Sequence, residues 1–366
     1  MAGTSRGPFS KLFSGLIGGL SFGSSETAVG LSIGSSAIKL VELKKKGKVW
    51  ELLHFGMVQL SDDLIVNREI SQPMAVVESI KALVAGAKPQ NKKICTSISG
   101  TSLMIKRLVV EVKDLKDLQE QIFWEAEQYL PFDASDVVMD YQILNQSPEN
   151  RADVLLVAAK RSVVESYLSV VGHSGLKPKV LDVDFFAMQN YFEANYPVTS
   201  SEAVVLVDIG AVGMKLVVLS GGVPIFTKDS VLGGRNLTEE IQKNLNLNFA
   251  DAEALKVGGY QTGLPQEVSD LMHLMCETYG TEIKRSIDFY QASSAGPPVS
   301  YILLSGGGAK VPNLQRVVQE VTRLPTQIAN PFNSISYDQS VFENGVSDIA
   351  PIAAVPIGLA LRAGAG

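Results

Sequence analysis

Residues Val29 to Val41 read Val-Gly-Leu-Ser-Ile-Gly-Ser-Ser-Ala-Ile-Lys-Leu-Val, and most of this stretch returns at Val205 to Val217 as Val-Leu-Val-Asp-Ile-Gly-Ala-Val-Gly-Met-Lys-Leu-Val. Superposed, Ile33 falls on Ile209, Gly34 on Gly210, Lys39 on Lys215, Leu40 on Leu216 and Val41 on Val217, while Ser32 falls on Asp208. A duplication spaced so far apart predicts two similar halves. Each copy reads as a buried β-branched strand, a short turn of small residues and a second strand, hence a hairpin. Small residues in such a turn let backbone N–H groups approach an anion closely.

A third element extends the pattern. Tyr301 to Leu304 reads as a strand, Ser305-Gly306-Gly307-Gly308-Ala309 as a glycine turn, and Pro312 suits the first turn of a helix that follows. Three consecutive glycines after a buried strand are costly in backbone entropy and rarely serve packing alone. Val311 stands where a dinucleotide fingerprint would need its last glycine, and no Gly-Lys-Ser/Thr of the Walker type occurs. Two hairpins and one strand–glycine–helix turn, facing each other across a cleft, could hold a polyphosphate.

With 366 residues, 46% of them hydrophobic, the chain can bury a large core in two or more domains. A net charge of −6, with 32 scattered Lys and Arg, leaves no nucleic-acid footprint. The basic run Lys44-Lys45-Lys46-Gly47-Lys48 reads as a solvated hairpin turn. Cys95 and Cys276 lie far apart, and His54, His173 and His273 have no partner at ligand spacing. That pattern argues for a reducing compartment and against a structural metal site or a His-based triad. No apolar run reaches the roughly 18 residues that span a bilayer, which predicts no integral membrane segment. Near the N-terminus Phe9, Leu12, Phe13, Leu16, Ile17 and Leu20 recur at helical spacing within residues 9–22. This stripe reads either as an interfacial segment lying on a membrane or partner, or as a tail whose glycines weaken any helix. A cleaved signal is disfavoured by those glycines and by the lack of a small-x-small site.

Along the chain, a three-strand meander from Ala28 to Val58 precedes a helix over Met74–Leu83, strands over Lys92–Ile98 and Ser102–Val110, and a helix capped by Asp114 and stopped by Pro131. Strands over Val137–Leu144 and Asp153–Ala159, a helix over Ser162–Val171, and a strand from Lys179 to Asp184 leading into a helix to Tyr196 complete the first half. After the second hairpin, Val223–Val231 is a strand, Gly233-Gly234 opens a helix, Ala250–Val257 and Glu267–Tyr290 are helices, and Leu314–Val321, a strand near Gln327 and Pro356–Leu361 follow. The open N–H groups of the Gly233-Gly234 turn are a second candidate phosphate or ribose contact.

Together these motifs resemble the actin and heat-shock-chaperone ATPase superfamily. Their wording, with Glu282-Ile-Lys-Arg-Ser-Ile-Asp-Phe-Tyr290, Leu304-Ser-Gly-Gly-Gly-Ala-Lys310 and Asn330-Pro-Phe332 beside the hairpins, is similar to the PilM family of actin-like type IV pilus assembly proteins, from about Glu26 to about Ala363. The resemblance implies an α/β, actin-like fold of the duplicated ribonuclease-H-like kind, with an inserted small α+β subdomain resembling 1C of FtsA. It places residues 1–26 in a tail, 27–90 and 176–200 in the first domain, 91–175 in the insert and 201–366 in the second domain.

The resemblance also implies ATP and Mg2+ as cofactors. Gly34, Ser35 and Ser36 would cradle the β- and γ-phosphates, with Gly210, Ala211 and Gly213 matching them in the second turn. Lys39 would reach a phosphate, unless strand parity puts it and Lys215 in solvent. Asp208 would hold the nucleotide-bound magnesium through water, because a hard cation prefers oxygen ligands. Ser32, neutral at the matching position, implies binding more firmly than hydrolysis. Lys284, Arg285 and Asp288 would line adenine and ribose, with Glu239 a weaker ribose candidate and Gly306, Gly307 and Gly308 closing the site. No general base is assigned; Asp182 and Asp184 lie in the segment where relatives position water. The implied role is a cytoplasmic adaptor, associated with the inner membrane through partners, that captures the cytoplasmic N-terminus of PilN and links it to pilus assembly ATPases and platform proteins. Self-association and membrane contact through residues 9–22 are further expectations; nucleic acid is not. A sugar or acyl kinase, an FtsA-like filament protein and the cytoplasmic part of a type II secretion platform are rivals that share the fold.

Overall fold

A computed structural model of the chain describes residues 27–111, 118–147, 151–258, 265–293, 296–339, 342 and 345–365. The stripe at residues 9–22 and the cap at Asp114 lie outside the described residues. The first half runs β1 (Thr27–Ile33), β2 (Ala37–Lys46), β3 (Val49–Gln59), a short hairpin of β4 (Ile65–Val66) and β5 (Glu69–Ile70), α1 (Pro73–Ala87) and β6 (Lys93–Ile98). It continues through β7 (Leu103–Glu111), α2 (Leu118–Glu127), β8 (Val137–Ser147), β9 (Arg151–Lys160), α3 (Arg161–His173), β10 (Lys177–Val183) and α4 (Asp184–Asn195). The second half runs β11 (Ala203–Ile209), β12 (Met214–Ser220), β13 (Val223–Ser230), α5 (Gly234–Leu245), α6 (Phe249–Gly258), α7 (Gln266–Ser293), β14 (Val299–Ser305), α8 (Leu314–Thr322), β15 (Thr326–Ile328), β16 (Ile335–Ser336) and α9 (Val346–Ala365).

The duplication seen in the sequence is a duplication of sheet topology. One sheet has the order β3-β2-β1-β6-β10, with β16 added at its β3 edge, and the other has the order β13-β12-β11-β14-β15. In both, the first three strands form an antiparallel meander and the last two run parallel to the first. β11 is buried along its whole length, as expected of a β-branched run covered on both faces. Each sheet has its own apolar cluster, one around β1, α1, α4 and α9 and one around β11, α7 and α8.

The expected limits of the insert and of the second domain differ from those observed. β6 pairs between β1 and β10, and α3 packs on α1 and β10, so both belong to the first lobe. The separate three-stranded sheet β7-β9-β8, with α2 on it and a small core of Leu108, Ile122, Val154 and Leu156, starts at Leu103 and ends at Lys160 rather than spanning 91–175. The end of the chain, expected in the second domain, returns to the first: β16 pairs with β3, and α9 lies on β1 and α4. The approach is so close that a Cβ at Gly30 would stand 2.2 Å from the Pro356 carbonyl oxygen. α9 is also long and apolar enough to cross a membrane by length and composition, a property missed when counting uninterrupted apolar residues. Its burial on β1 and α4 accounts for that apolar character.

Candidate functional site

The two hairpin turns are closed by the same bond, Gly34 N–H to the Ala37 carbonyl at 3.1 Å and Gly210 N–H to the Gly213 carbonyl at 2.9 Å. Because the hairpins are in equivalent register, Ser32 stands opposite Lys39 and Asp208 opposite Lys215. Side chains directly opposite on an antiparallel pair share a face, and here that face is the cleft between the lobes.

Neither lysine points to bulk solvent. The buried Lys215 ammonium lies 2.9 Å from Asp184 Oδ2 and 3.0 Å from Asp208 Oδ2, joining the first residue of α4 in one lobe to the end of β11 in the other. The Ser97 hydroxyl donates to Asp184 Oδ1, and the Ser305 hydroxyl lies 3.3 Å from Asp208 Oδ1. Burial on its own would lower the Lys215 ammonium, but the charges of Asp184 and Asp208 outweigh it and hold the group above its ordinary range. For Asp184, burial works upward and is overcome by Lys215 and the hydroxyl of Ser97, leaving the carboxyl below its ordinary value. Lys39, opposite neutral Ser32, has no ion pair among the described residues; desolvation lowers it, the fields of Asp208 and Asp184 offsetting only part.

Sequence reasoning missed a further cation here. Arg68, in the turn between β4 and β5, reaches across the cleft to Asp229, and its second nitrogen donates to the Ser230 carbonyl at 3.1 Å. Its guanidinium lies over the second hairpin turn, where a Cβ on Gly213 would collide with it. Arg235 and Asp62 form a second ion pair between the lobes. An isolated arginine in a polar loop carries no sequence signal; only the folded position shows its role.

The glycine turn after β14 sits beside the second hairpin, in the same sheet. Gly306 has φ +84° and its N–H donates to the Pro351 carbonyl at 2.8 Å, so the turn is tied to α9. A Cβ there would also stand 2.4 Å from the Ile209 carbonyl oxygen, so only glycine fits. Gly308 packs on the Ile209 side chain, while Gly307 faces open space.

Other expected contacts are not brought together in this way. The N–H groups at the start of α5 are already used: Gly234 donates to the Gly210 carbonyl at 2.9 Å, Arg235 to Ala211 at 2.8 Å, and Gly233 to the Asn236 side chain at 2.8 Å. Gly233 and Gly234 therefore brace the second hairpin turn rather than present open donors to an anion. Lys284, Arg285 and Asp288 are exposed on α7, with the Lys284 ammonium 3.2 Å from Asp288 in the same helix. Glu239 is exposed on α5. The residue that ties α7 to the site is buried Tyr279, whose hydroxyl donates to the Gly233 carbonyl at 2.9 Å. Asp182 points away from the cleft, towards Arg362 of α9 at 3.8 Å.

The arrangement fits a polyphosphate: two tight turns, an open glycine turn and the cations Lys39, Lys215 and Arg68 converge between the lobes. It fits a protein-held magnesium ion poorly. Lys215 already holds one oxygen of Asp184 and one of Asp208, Ser97 holds the second oxygen of Asp184, Ser32 offers no charge, and no group of three or more His, Cys, Asp or Glu that could hold a metal occurs among the described residues.

Comparison with known proteins places this geometry. The family model for the type IV pilus assembly protein PilM matches residues 30–364. The chain is similar to the structure of the PilM-PilN type IV pilus biogenesis complex, at 28% identity, with 93% of this chain and 99% of that chain covered and a TM-score of 0.83. More remote likenesses, of fold alone, are ethanolamine utilization protein EutJ from Carboxydothermus hydrogenoformans, at 14% identity over 93% of this chain and 92% of that one with a TM-score of 0.58, and MreB5 of Spiroplasma citri bound to AMPPNP, at 11% over 92% and 95% with a TM-score of 0.51. The actin-like α/β fold expected from the motifs is the fold observed.

Proposed function

This chain belongs to the PilM family of type IV pilus assembly proteins, and on that footing we propose that it is a nucleotide-held adaptor of the pilus assembly platform. It takes ATP between its two lobes and binds the cytoplasmic N-terminal segment of PilN beside the β7-β9-β8 sheet. Through PilN it sits on the cytoplasmic face of the inner membrane, where it links the platform to the pilus motor. The observation that carries the nucleotide arm is the convergence of the Gly34–Ser36, Gly210–Gly213 and Gly306–Gly308 turns on a cleft lined by Lys39, Lys215 and Arg68. The partner arm is supported by the likeness, over nearly the whole chain, to a structure solved as a PilM-PilN complex.

In this reading Gly34, Ser35 and Ser36 hold the terminal phosphates, Lys39 neutralises them, and Gly306 to Gly308 border the nucleoside. Lys284, Arg285, Asp288 and Glu239 reach the base and ribose only from the exposed edge of the site. The magnesium expected from the family pattern would have to be carried in by the nucleotide, because Asp208 is already paired. Turnover is slow at best: Ser32 replaces a carboxylate, and Asp184, the one acidic group at the cleft from the connecting segment, is a salt-bridged carboxylate rather than a free base. The family match favours this pilus role over the filament, kinase and secretion-platform alternatives.

Purified protein titrated with ATP, beside Ser32→Asp and Asp208→Ala, tests the reading. Wild type is expected to bind ATP and release phosphate at no more than background rate, with Ser32→Asp raising turnover and Asp208→Ala weakening binding. A labelled PilN N-terminal peptide is expected to bind with an affinity that changes when ATP is added, as a shift between open and closed lobes requires. Peptide binding indifferent to nucleotide would reduce the protein to a passive scaffold.

A further inference from the structure

We infer that Lys215 is the resident counter-cation of this cleft, its ammonium doing for Asp184 and Asp208 what a divalent ion would otherwise do, so that the chain takes its nucleotide without requiring one. The inference rests on the nucleotide reading above and concerns what balances the charge of that site.

Three observations lead to it. First, Lys215 is held in place by register: it stands directly opposite Asp208 across a tight hairpin, so its ammonium stays within reach of that carboxylate. Second, the ammonium bridges the lobes at 2.9 and 3.0 Å, and the Ser97 hydroxyl takes the second oxygen of Asp184. An incoming hard cation, which seeks six or more oxygen ligands, would have to displace a tethered ammonium from two partners at once. Third, the first hairpin has lost the matching carboxylate. Ser32 faces Lys39, so the two hairpins together offer two ammonium groups and one carboxylate where symmetric copies carrying Asp208 would offer two of each. With Asp184 counted, the cluster balances at two ammonium groups and two carboxylates, so no added cation is needed to neutralise it.

A purely structural pair and a counter-cation differ in the dependence of nucleotide binding on metal. The full chain is titrated with ATP and with ADP by calorimetry, once with excess magnesium and once with EDTA. The expected result is dissociation constants that agree within about threefold between the two conditions. Lys215→Gln should create a magnesium requirement, with affinity at least about tenfold lower in EDTA, and Lys215→Arg should keep the wild-type indifference. Removing a charge from a buried pair endangers folding, and for that reason the wild-type comparison is decisive by itself. A wild-type protein that loses tenfold or more in EDTA overturns the inference, as does a folded Lys215→Gln that stays indifferent to magnesium. No binding of either nucleotide in either condition would sink the nucleotide reading and the inference with it.

Discussion

Lys215 and Lys39 occupy matching positions of the two hairpins, yet the residue opposite each gives it a different energetic role. Lys215 faces Asp208 and also reaches Asp184, so its removal strands two buried carboxylates. Lys215→Met is expected to cost about 3–5 kcal/mol in urea unfolding. Lys39 faces Ser32 and is largely desolvated without an ion pair; Lys39→Met should change stability by less than about 1 kcal/mol while weakening ATP binding. Asp182 gives the protein a pH signature. Burial raises its carboxyl to about 6, with Arg362 only partly offsetting it. A raised carboxyl means that the folded state holds a proton the unfolded chain has released, so stability falls as pH rises from about 4 to about 6 and is flat above. The full effect is about 3 kcal/mol at most. Melting temperatures across that window should show the slope, and Asp182→Asn should remove the share that Asp182 contributes. Asp140, raised to about 6 by burial, adds to the same slope. Asp184 acts oppositely and elsewhere: its lowered carboxyl contributes stability that is lost only as pH drops below about 4.

At the scale of elements, what was legible in the sequence was local. The hairpins, the glycine turn and the α7 helix carry their signal in adjacent residues, and the duplicated wording matches the duplicated sheets. What was not legible depended on partners far away. The cleft-facing sense of Lys39 and Lys215 follows from which sheet face the other lobe covers, something that strand alternation alone leaves open. The donors of Gly234 and Arg235 read as open because their acceptors, Gly210 and Ala211, lie in another hairpin. Sequence order puts β6 next to the insert, although its neighbours in the sheet are β1 and β10. The place of α9 is not legible because its apolar residues run all round the helix and its partner strand is distant in sequence; its small residues let its backbone lie against β1. Gly30→Ala should therefore destabilise by about 3 kcal/mol or more, read by denaturant unfolding, since the clash is with helix backbone that cannot rotate away.

For the whole molecule, the lobes are joined by charge as much as by chain. Arg68 to Asp229, Arg235 to Asp62 and Lys215 to Asp184 all cross the cleft, and the first is anchored further by the Tyr167 hydroxyl, which donates to the Arg68 carbonyl at 3.1 Å. The Arg235 pair is the more exposed and contributes little. Arg68 is the better sheltered and lies on the second hairpin turn, so Arg68→Ala should loosen closure. Expected outcomes are a larger radius of gyration in solution scattering without nucleotide and a nucleotide dissociation rate raised by about tenfold, while Arg235→Ala changes either only slightly.

The return of α9 to the first lobe also sets a schedule for biosynthesis. The face of β1 that α9 covers leaves the ribosome roughly 300 residues before its cover does. At about 5–20 residues per second, that apolar surface waits on the order of fifteen seconds to a minute for its lid. The second lobe, whose strands and helices are nearly contiguous, can close as it is made. The half translated first is thus the half completed last, and a nascent chain of this protein is a natural client for chaperones throughout that interval.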